Sequence, residues 1–168
     1  QEILEKYNLL PNDIEWHMIG HLQKNKAKYI SNFISLIHSL DRISLAREID
    51  KNAKKSKRVI NCLIQLKISS EKSKYGLEIS DFDNFYNDLK KYTNIKVVGL
   101  MGMASFTSNK ELINKEFSQI KLLYDRLRLN DSNIKILSIG MSNDYKLAIK
   151  NGSNMIRIGS NIFGKRNY

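Results

Sequence analysis

Two kinds of apolar pattern alternate along the chain. Short runs rich in branched apolar residues predict strands, and segments with apolar residues three or four positions apart predict helices. The predicted strands span residues 14–20, 36–40, 59–69, 95–101, 134–139 and 155–158. The predicted helices span residues 1–9, 25–31, 42–53, 80–91, 109–129 and 144–150, and a short one follows residue 159. Strands that alternate with helices indicate a parallel sheet.

The strand at 59–69 carries polar side chains on one of its two apolar faces. Cys62 and Ile64 lie on one face, whereas Asn61 and Gln65 lie on the other. Such a strand fits the wall of a small barrel, whose interior can be polar near its mouth. The predicted fold class is therefore α/β, a (β/α)8 TIM barrel that is incomplete here. About six of the eight βα units are present, and the first two strands are absent.

The chain is predicted to form a single domain that is N-terminally truncated. No segment rich in proline, glycine or serine divides residues 1–168. A complete barrel usually needs at least about 200 residues. The chain begins at Gln1 rather than at methionine. We therefore expect roughly 50 to 60 further residues upstream, the remainder of a small barrel.

Small polar clusters follow the last two predicted strands. Residues 140–142 (Gly-Met-Ser) follow the first of these strands, and residues 159–161 (Gly-Ser-Asn) follow the second. In a (β/α)8 barrel, the phosphate of a ligand often lies on the loops after strands seven and eight, against the start of a short helix. The two clusters therefore predict a phosphate pocket. Alternatively, Ser142 is an ordinary N-cap of the following helix, a role that Asn143 could also fill.

The basic composition raises nucleic-acid binding as a hypothesis, because the net charge is +11. The lysines are spread along the chain, however, and the densest basic patch, residues 51–58, has no aromatic residues for base stacking. Frequent use of lysine, asparagine and isoleucine is expected where A·T-rich codons are favoured, and it explains the charge equally well. We expect no specific nucleic-acid partner.

Other features exclude further classes of protein. No apolar run reaches the roughly 18 to 20 residues that a membrane helix needs, so we expect no membrane association. The single cysteine, Cys62, lies in an apolar run, which suits a reduced thiol in a cytoplasmic protein. His17 and His21 are four residues apart, but a strand and its exit loop carry them, not one helix face. We expect no metal site.

Five short motifs occur in order along the whole chain. They are residues 16–26 (WHMIGHLQKNK), 73–76 (SKYG), 99–101 (GLM), 137–142 (LSIGMS) and 155–164 (MIRIGSNIFG). Together they resemble the YggS/PROSC family of pyridoxal phosphate homeostasis proteins. The resemblance implies a single barrel, similar to the N-terminal barrel of alanine racemase, that holds pyridoxal 5'-phosphate (PLP). It also implies a cytoplasmic, non-catalytic PLP carrier or regulator, which we expect to be a monomer.

An alternative within the same resemblance is a PLP-dependent enzyme similar to an amino-acid racemase. Racemisation needs an acid or base on each face of the cofactor ring. The relatives that racemise take the second of these groups from another domain, for which this chain has no room. We therefore expect no catalytic residues and no enzymatic turnover.

The resemblance also implies which residues contact the cofactor. The expected cofactor-binding residues are Ser142, Arg157, Gly159, Ser160, Met141 and His21. The serines and the glycine would contact the phosphate, whereas Arg157 would face the pyridine nitrogen. His21 would line the mouth near the ring. Arg157 could instead belong to a structural ion pair, because a buried guanidinium needs partners.

The lysine that binds PLP covalently in this family is not in the chain. The family holds PLP by a Schiff base to a lysine at the end of the first barrel strand, so we expect that lysine upstream of Gln1. Lys67 stands where relatives usually have asparagine, on the polar face of its strand. It could replace the missing lysine, or its ammonium group could reach solvent.

Overall fold

A computed structural model describes residues 2–71 and 74–164 of the protein. Gln1, from which the truncation was predicted, and Ser73, the first residue of the motif at 73–76, lie outside the described residues. The helices are α1 (Glu2–Leu9), α2 (Ala27–Ile30), α3 (Ile43–Lys55), α4 (Phe82–Leu89), α5 (Lys110–Asn130), α6 (Tyr145–Lys150) and α7 (Ser160–Phe163). The strands are β1 (His17–Met18), β2 (Leu36–Leu40), β3 (Ile60–Leu66), β4 (Ile95–Gly102), β5 (Ile136–Met141) and β6 (Met155–Arg157). Every predicted element has a counterpart in the predicted order.

The six strands form one sheet in which all neighbouring pairs are parallel. Their order across the sheet is their order along the chain, from β1 to β6. A parallel sheet built in this order, with a helix after each strand, is the wall of a βα barrel. Within residues 2–71 and 74–164 the sheet is curled but open, with β1 and β6 at its edges. The prediction of an incomplete (β/α)8 barrel with six βα units is confirmed.

Apolar side chains are buried on both faces of the sheet. On the outer face, strand residues such as Ile64 pack with helix residues such as Phe117 in one large cluster. A second cluster is built around strand residues alone, with Leu36, Leu63 and Met101 as its buried members. It lies inside the curve of the sheet, as the interior of a small barrel requires. Since the adjacent residues Leu63 and Ile64 belong to different clusters, β3 is buried on both faces, as its sequence predicts.

Several local features differ from the predictions. β3 ends at Leu66, whereas the strand predicted there continues to residue 69. β1 contains only His17–Met18 and is shorter than the strand predicted at 14–20, because it is an edge strand that pairs with β2 alone. The prediction that Ser142 or Asn143 caps α6 is wrong, because α6 begins after Asp144. The carboxylate of Asp144 instead accepts the backbone N–H of Met141 at 2.6 Å and closes the turn that leaves β5. None of the described helices is long and apolar enough to cross a membrane.

Candidate cofactor-binding site

The loops that follow β5 and β6 lie side by side at the carboxyl end of the sheet. The backbone N–H of Gly159 donates to Oγ of Ser142 at 3.3 Å, and the side-chain amide of Asn161 donates to the backbone oxygen of Ser142 at 3.1 Å. Gly140 permits the first loop, because its φ is +97° and an added Cβ would lie 2.5 Å from Cβ of Ala148. The two polar clusters found in the sequence therefore form one surface.

These loops form one wall of an open cavity of about 1270 Å³. Five of the predicted cofactor-binding residues line it, namely Met141, Ser142, Arg157, Gly159 and Ser160. His21 is not among the described residues that line the cavity. Gly20, at φ +82°, turns the chain at the end of β1, and the ring of His21 packs against Tyr75 with a centroid separation of 4.4 Å. The structure therefore brings five of the six residues together and leaves His21 apart.

Arg157, the last residue of β6, donates three hydrogen bonds to described residues of β5 and β4. Its Nη1 donates to the backbone oxygen and to Oγ of Ser138 at 2.8 and 2.7 Å, and its Nη2 donates to the backbone oxygen of Gly102 at 3.0 Å. These acceptors are uncharged, so the described contacts do not make the structural ion pair considered above. Burial lowers the pKa of Arg157 to about 10, and the charge of Asp144 opposes this shift. Arg157 is therefore protonated at neutral pH.

Three polar residues that sequence reasoning did not assign to the site continue from Arg157. Oγ of Ser138 lies 3.2 Å from Nδ1 of His38, and Nε2 of His38 lies 3.3 Å from Nδ1 of His17. Both histidines line the cavity. His38 is the middle residue of β2, a strand in which every residue is buried. A titratable residue inside so apolar a strand was the sequence signal that could have identified it.

The environment of the two histidines favours their neutral forms. The pKa of His38 is lowered to about 3, mainly by burial and then by the positive charge of Arg157 and by His17. Burial also lowers the pKa of His17, and the negative charge of Glu15 opposes that shift. Both imidazole rings are therefore uncharged at neutral pH, beside a guanidinium that is charged.

The wall formed by the two loops offers donors and free space to an anion. Apart from its two chain neighbours, an added Cβ at Gly159 would meet no atom of the described residues within 4 Å, so the backbone at this point borders open space among them. The hydroxyl of Ser142 accepts a hydrogen bond from Gly159 and keeps its own proton for another acceptor. The positive charge of Arg157 lines the same cavity. These features fit a ligand that carries a phosphate group.

Lys67 does not belong to the described lining of the cavity. Its Nζ donates to Oε1 of Glu78 at 2.9 Å, so the structure shows the alternative in which the ammonium group reaches outward. Lys74 does line the cavity, and its Nζ lies 4.0 Å from Oε2 of Glu71. In the part of the chain that the structure describes, no group of three or more His, Cys, Asp or Glu side chains could hold a metal ion.

Comparisons with known proteins point to one family. A family model described as the N-terminal domain of alanine racemase matches residues 6–167. The pyridoxal phosphate homeostasis protein of Aquifex aeolicus (strain VF5) is 40% identical over 171 residues, which cover 100% of this chain and 75% of that protein. The protein of the same name from Haemophilus influenzae is 34% identical over 173 residues, which cover 100% of this chain and 73% of that protein.

A solved structure agrees with the sequence comparison. PipY of Synechococcus elongatus PCC7942, with PLP bound, is 28% identical and superposes with a TM-score of 0.82, covering 95% of this chain and 74% of that chain. The match therefore extends over nearly all of the described fold, and the resemblance carried by the five motifs is confirmed. The chain belongs to the family of the alanine racemase N-terminal domain and, within it, to the YggS/PROSC family of pyridoxal phosphate homeostasis proteins.

Proposed function

We propose that this chain binds PLP in the cavity described above and acts in PLP homeostasis as a carrier or regulator. The observation that carries the proposal is the position of Arg157. Its guanidinium is fixed in the cavity wall, and its backbone pairs with Met141, where the first polar loop begins. PipY, which shares the fold at a TM-score of 0.82, has PLP bound, and this supports the same ligand here.

The phosphate of PLP is proposed to bind to the loops after β5 and β6. Ser142 and Ser160 supply hydroxyl donors, and Gly159 leaves room for a phosphate oxygen to approach the backbone. A phosphate group carries between one and two negative charges at neutral pH, so the positive charge of Arg157 in the same cavity favours its binding. Met141 contributes apolar contact beside it. His21, which packs on Tyr75, is not included in this proposal.

Arg157 is proposed to face the pyridine nitrogen of PLP. When bound, PLP supplies an electron sink whose strength depends on the protonation of that nitrogen. An arginine keeps its protons at neutral pH and can only donate, so it favours the unprotonated ring nitrogen. The weaker electron sink that results supports storage and transfer of the cofactor over turnover of amino acids.

The proposal includes a non-catalytic role and a cytoplasmic monomer. Cys62 is buried in β3 and burial raises the pKa of its thiol, which supports an inert, reduced cysteine. None of the residues proposed to contact PLP is assigned an acid or base function. The alternative, an activity similar to that of an amino-acid racemase, is an outcome of the experiment below.

Equilibrium titration with PLP, measured by calorimetry, tests the proposal. Ser142→Ala is expected to weaken PLP binding about tenfold, because a hydrogen bond to a charged phosphate is lost. Binding of pyridoxal, which lacks the phosphate, should not change in this variant. Ser80→Ala, an exposed serine outside the described lining, serves as the control and should bind both compounds normally. If the unaltered protein bound no PLP, the proposal would be wrong.

Exchange of the α-proton of amino acids in deuterated buffer separates the two candidate roles. With PLP and the protein present, we expect no exchange beyond that caused by PLP alone. Clear, protein-dependent exchange would replace the carrier role by the racemase-like alternative.

A further inference from the structure

Hydrogen bonds link Arg157, Ser138, His38 and His17 in a row that we call the relay. Its members come from β6, β5, β2 and β1, respectively. Two other strands separate β2 from β5 in the sheet, so the contact between His38 and Ser138 crosses the interior of the curled sheet. Ser138 is 0% exposed and His38 is 1% exposed, and the cavity is lined by His38 and by both ends of the relay.

Only one direction of donation satisfies every buried group of the relay. A guanidinium can only donate, so Oγ of Ser138 accepts from Arg157. The acceptor that the described residues offer to the hydroxyl proton of Ser138 is Nδ1 of His38, and leaving that buried proton unpaired would be costly. His38 therefore carries its own proton on Nε2 and donates it to Nδ1 of His17. His17 in turn carries its proton on Nε2, the ring nitrogen for which the described residues provide no partner.

The charges around the relay maintain this direction. His38 faces Arg157 on one side and His17 on the other, and both disfavour a positive charge on its ring. Among the acidic groups, Glu15 acts on His17 and Asp144 acts on Arg157. Because Arg157 keeps its charge at neutral pH, the relay always begins with a donor. It therefore ends with a donor at His17.

We infer that His17 is a ligand-binding residue, which donates its Nε2–H to an anionic oxygen of the molecule held in the cavity. Its ring is fixed by His38, it lines the cavity, and its remaining donor is not used by the described residues. The inference rests on the proposed function, in which the ligand is PLP. Two kinds of oxygen in PLP have the required chemistry, namely the ionised ring oxygen and the oxygens of the phosphate.

Long-range ¹H–¹⁵N NMR spectra of the ligand-free protein test the relay independently of PLP. The chain has three histidines, and the variant His21→Gln identifies the signals of the third. At pH 7 we expect both His17 and His38 to be neutral with the proton on Nε2. Ser138→Ala should remove this preference at His38. A charged ring, or a proton on Nδ1 at either residue, overturns the inference.

Titration with PLP tests the donor at His17. His17→Phe keeps an aromatic ring but has no N–H, so we expect about tenfold weaker binding of PLP. His17→Gln supplies an amide N–H and should restore most of the affinity. His21→Gln, outside the described lining, should bind PLP as the unaltered protein does. Unchanged affinity in His17→Phe, or a loss that His17→Gln does not restore, overturns the inference.

The 3-O-methyl derivative of PLP distinguishes the two possible acceptors, because it keeps the phosphate but has no ionised ring oxygen. If the ring oxygen is the acceptor, the unaltered protein and His17→Phe bind the derivative equally. If the phosphate is the acceptor, His17→Phe weakens binding of the derivative by the same factor as binding of PLP. Either result supports the donor role. If the unaltered protein does not bind PLP, both the proposed function and the identification of PLP as the ligand of His17 are wrong. The NMR spectra of the ligand-free protein show separately whether the relay is correct.

Discussion

Ser105 donates both its backbone N–H and its hydroxyl to the carboxylate of Glu116, at 2.8 and 2.6 Å. Glu116 lies on α5 and is only 4% exposed. Because the hydroxyl of Ser105 donates to Glu116, its Oγ can accept the proton of Ser69, 2.8 Å away in the segment that follows β3. A single buried carboxylate therefore ties the loops after β3 and β4 to α5, at the cavity that Ser105 helps to line.

Removal of that carboxylate is predicted to destabilise the fold. In Glu116→Ala, the N–H and the hydroxyl of Ser105 lose their acceptor in a buried site, and we expect the free energy of unfolding to fall by about 3 kcal/mol. Urea denaturation measures this change. Glu111→Ala, an exposed position on the same helix, is the control and should change stability by less than about 1 kcal/mol. Equal effects in the two variants would contradict the role assigned to Glu116.

Gly99→Ala is predicted to disrupt the pairing of β4 with β5. An added Cβ at Gly99 would lie 1.8 Å from the backbone oxygen of Ile136, its register partner. Neither backbone can move away without loosening the sheet, so we expect a loss of at least about 3 kcal/mol in the free energy of unfolding. Urea and thermal denaturation would show it. A loss below about 1 kcal/mol would mean that the two strands are not packed this closely.

Gly159→Ala is predicted to affect ligand binding and not stability. The φ of Gly159 is −124°, outside the left-handed region that favours glycine, and apart from its chain neighbours the added Cβ would meet no atom of the described residues within 4 Å. We therefore expect stability to change by less than about 1 kcal/mol. If the phosphate of PLP occupies this space, the methyl group should weaken PLP binding about tenfold and leave pyridoxal binding unchanged. Equal weakening of both compounds would place the phosphate elsewhere.

His38 is predicted to make the fold less stable as the pH falls below about 6.5. The unfolded chain takes up a proton on His38 near the ordinary pKa of 6.5, whereas the folded protein takes it up only near 3. Between these values the unfolded state binds the extra proton, so the free energy of unfolding should fall by up to about 1.4 kcal/mol per pH unit. Above the unfolded pKa this contribution is constant.

Urea denaturation of the unaltered protein and of His38→Gln tests this pH dependence. The range between about pH 5 and 6.5 is the informative one, because most carboxylates titrate below it. Whatever its overall stability, His38→Gln should show a shallower dependence on pH in this range. Identical slopes in the two proteins would show that His38 titrates normally in the fold.

Lys67 is predicted not to bind PLP covalently. Its Nζ is paired with Glu78 and it does not belong to the described lining, whereas Lys74 does line the cavity. After incubation with PLP and reduction with borohydride, peptide mapping should find no label on Lys67. Lys67→Ala should leave the total amount of label unchanged, and Lys74→Ala should reduce it. A label on Lys67 would instead support the alternative that Lys67 replaces the missing lysine, against which its hydrogen bond to Glu78 argues.

The arrangement of helices and strands could be predicted because it depends on neighbouring residues. The apolar run at 36–40 predicted β2 with its observed ends. The helix predicted to start at 109 is α5, which begins after Asn109, whose side chain accepts the N–H groups of Glu111 and Leu112 as an N-cap should. The small polar residues after the last two strands also identified the loops of the cavity. A parallel sheet brings the carboxyl ends of its strands to one rim, so loops that follow neighbouring strands lie together.

The residues that meet across the sheet could not be predicted in this way. His38 and Ser138 are 100 residues apart and touch only because the sheet curls. His21 was expected at the cavity, but after the turn at Gly20 its ring packs against Tyr75. By itself, the sequence determined the order of the elements and the chemistry at the strand ends, because both are local properties. Only the tertiary structure decided which side chains share the cavity and which polar atoms meet there, because curvature and burial depend on the whole sheet.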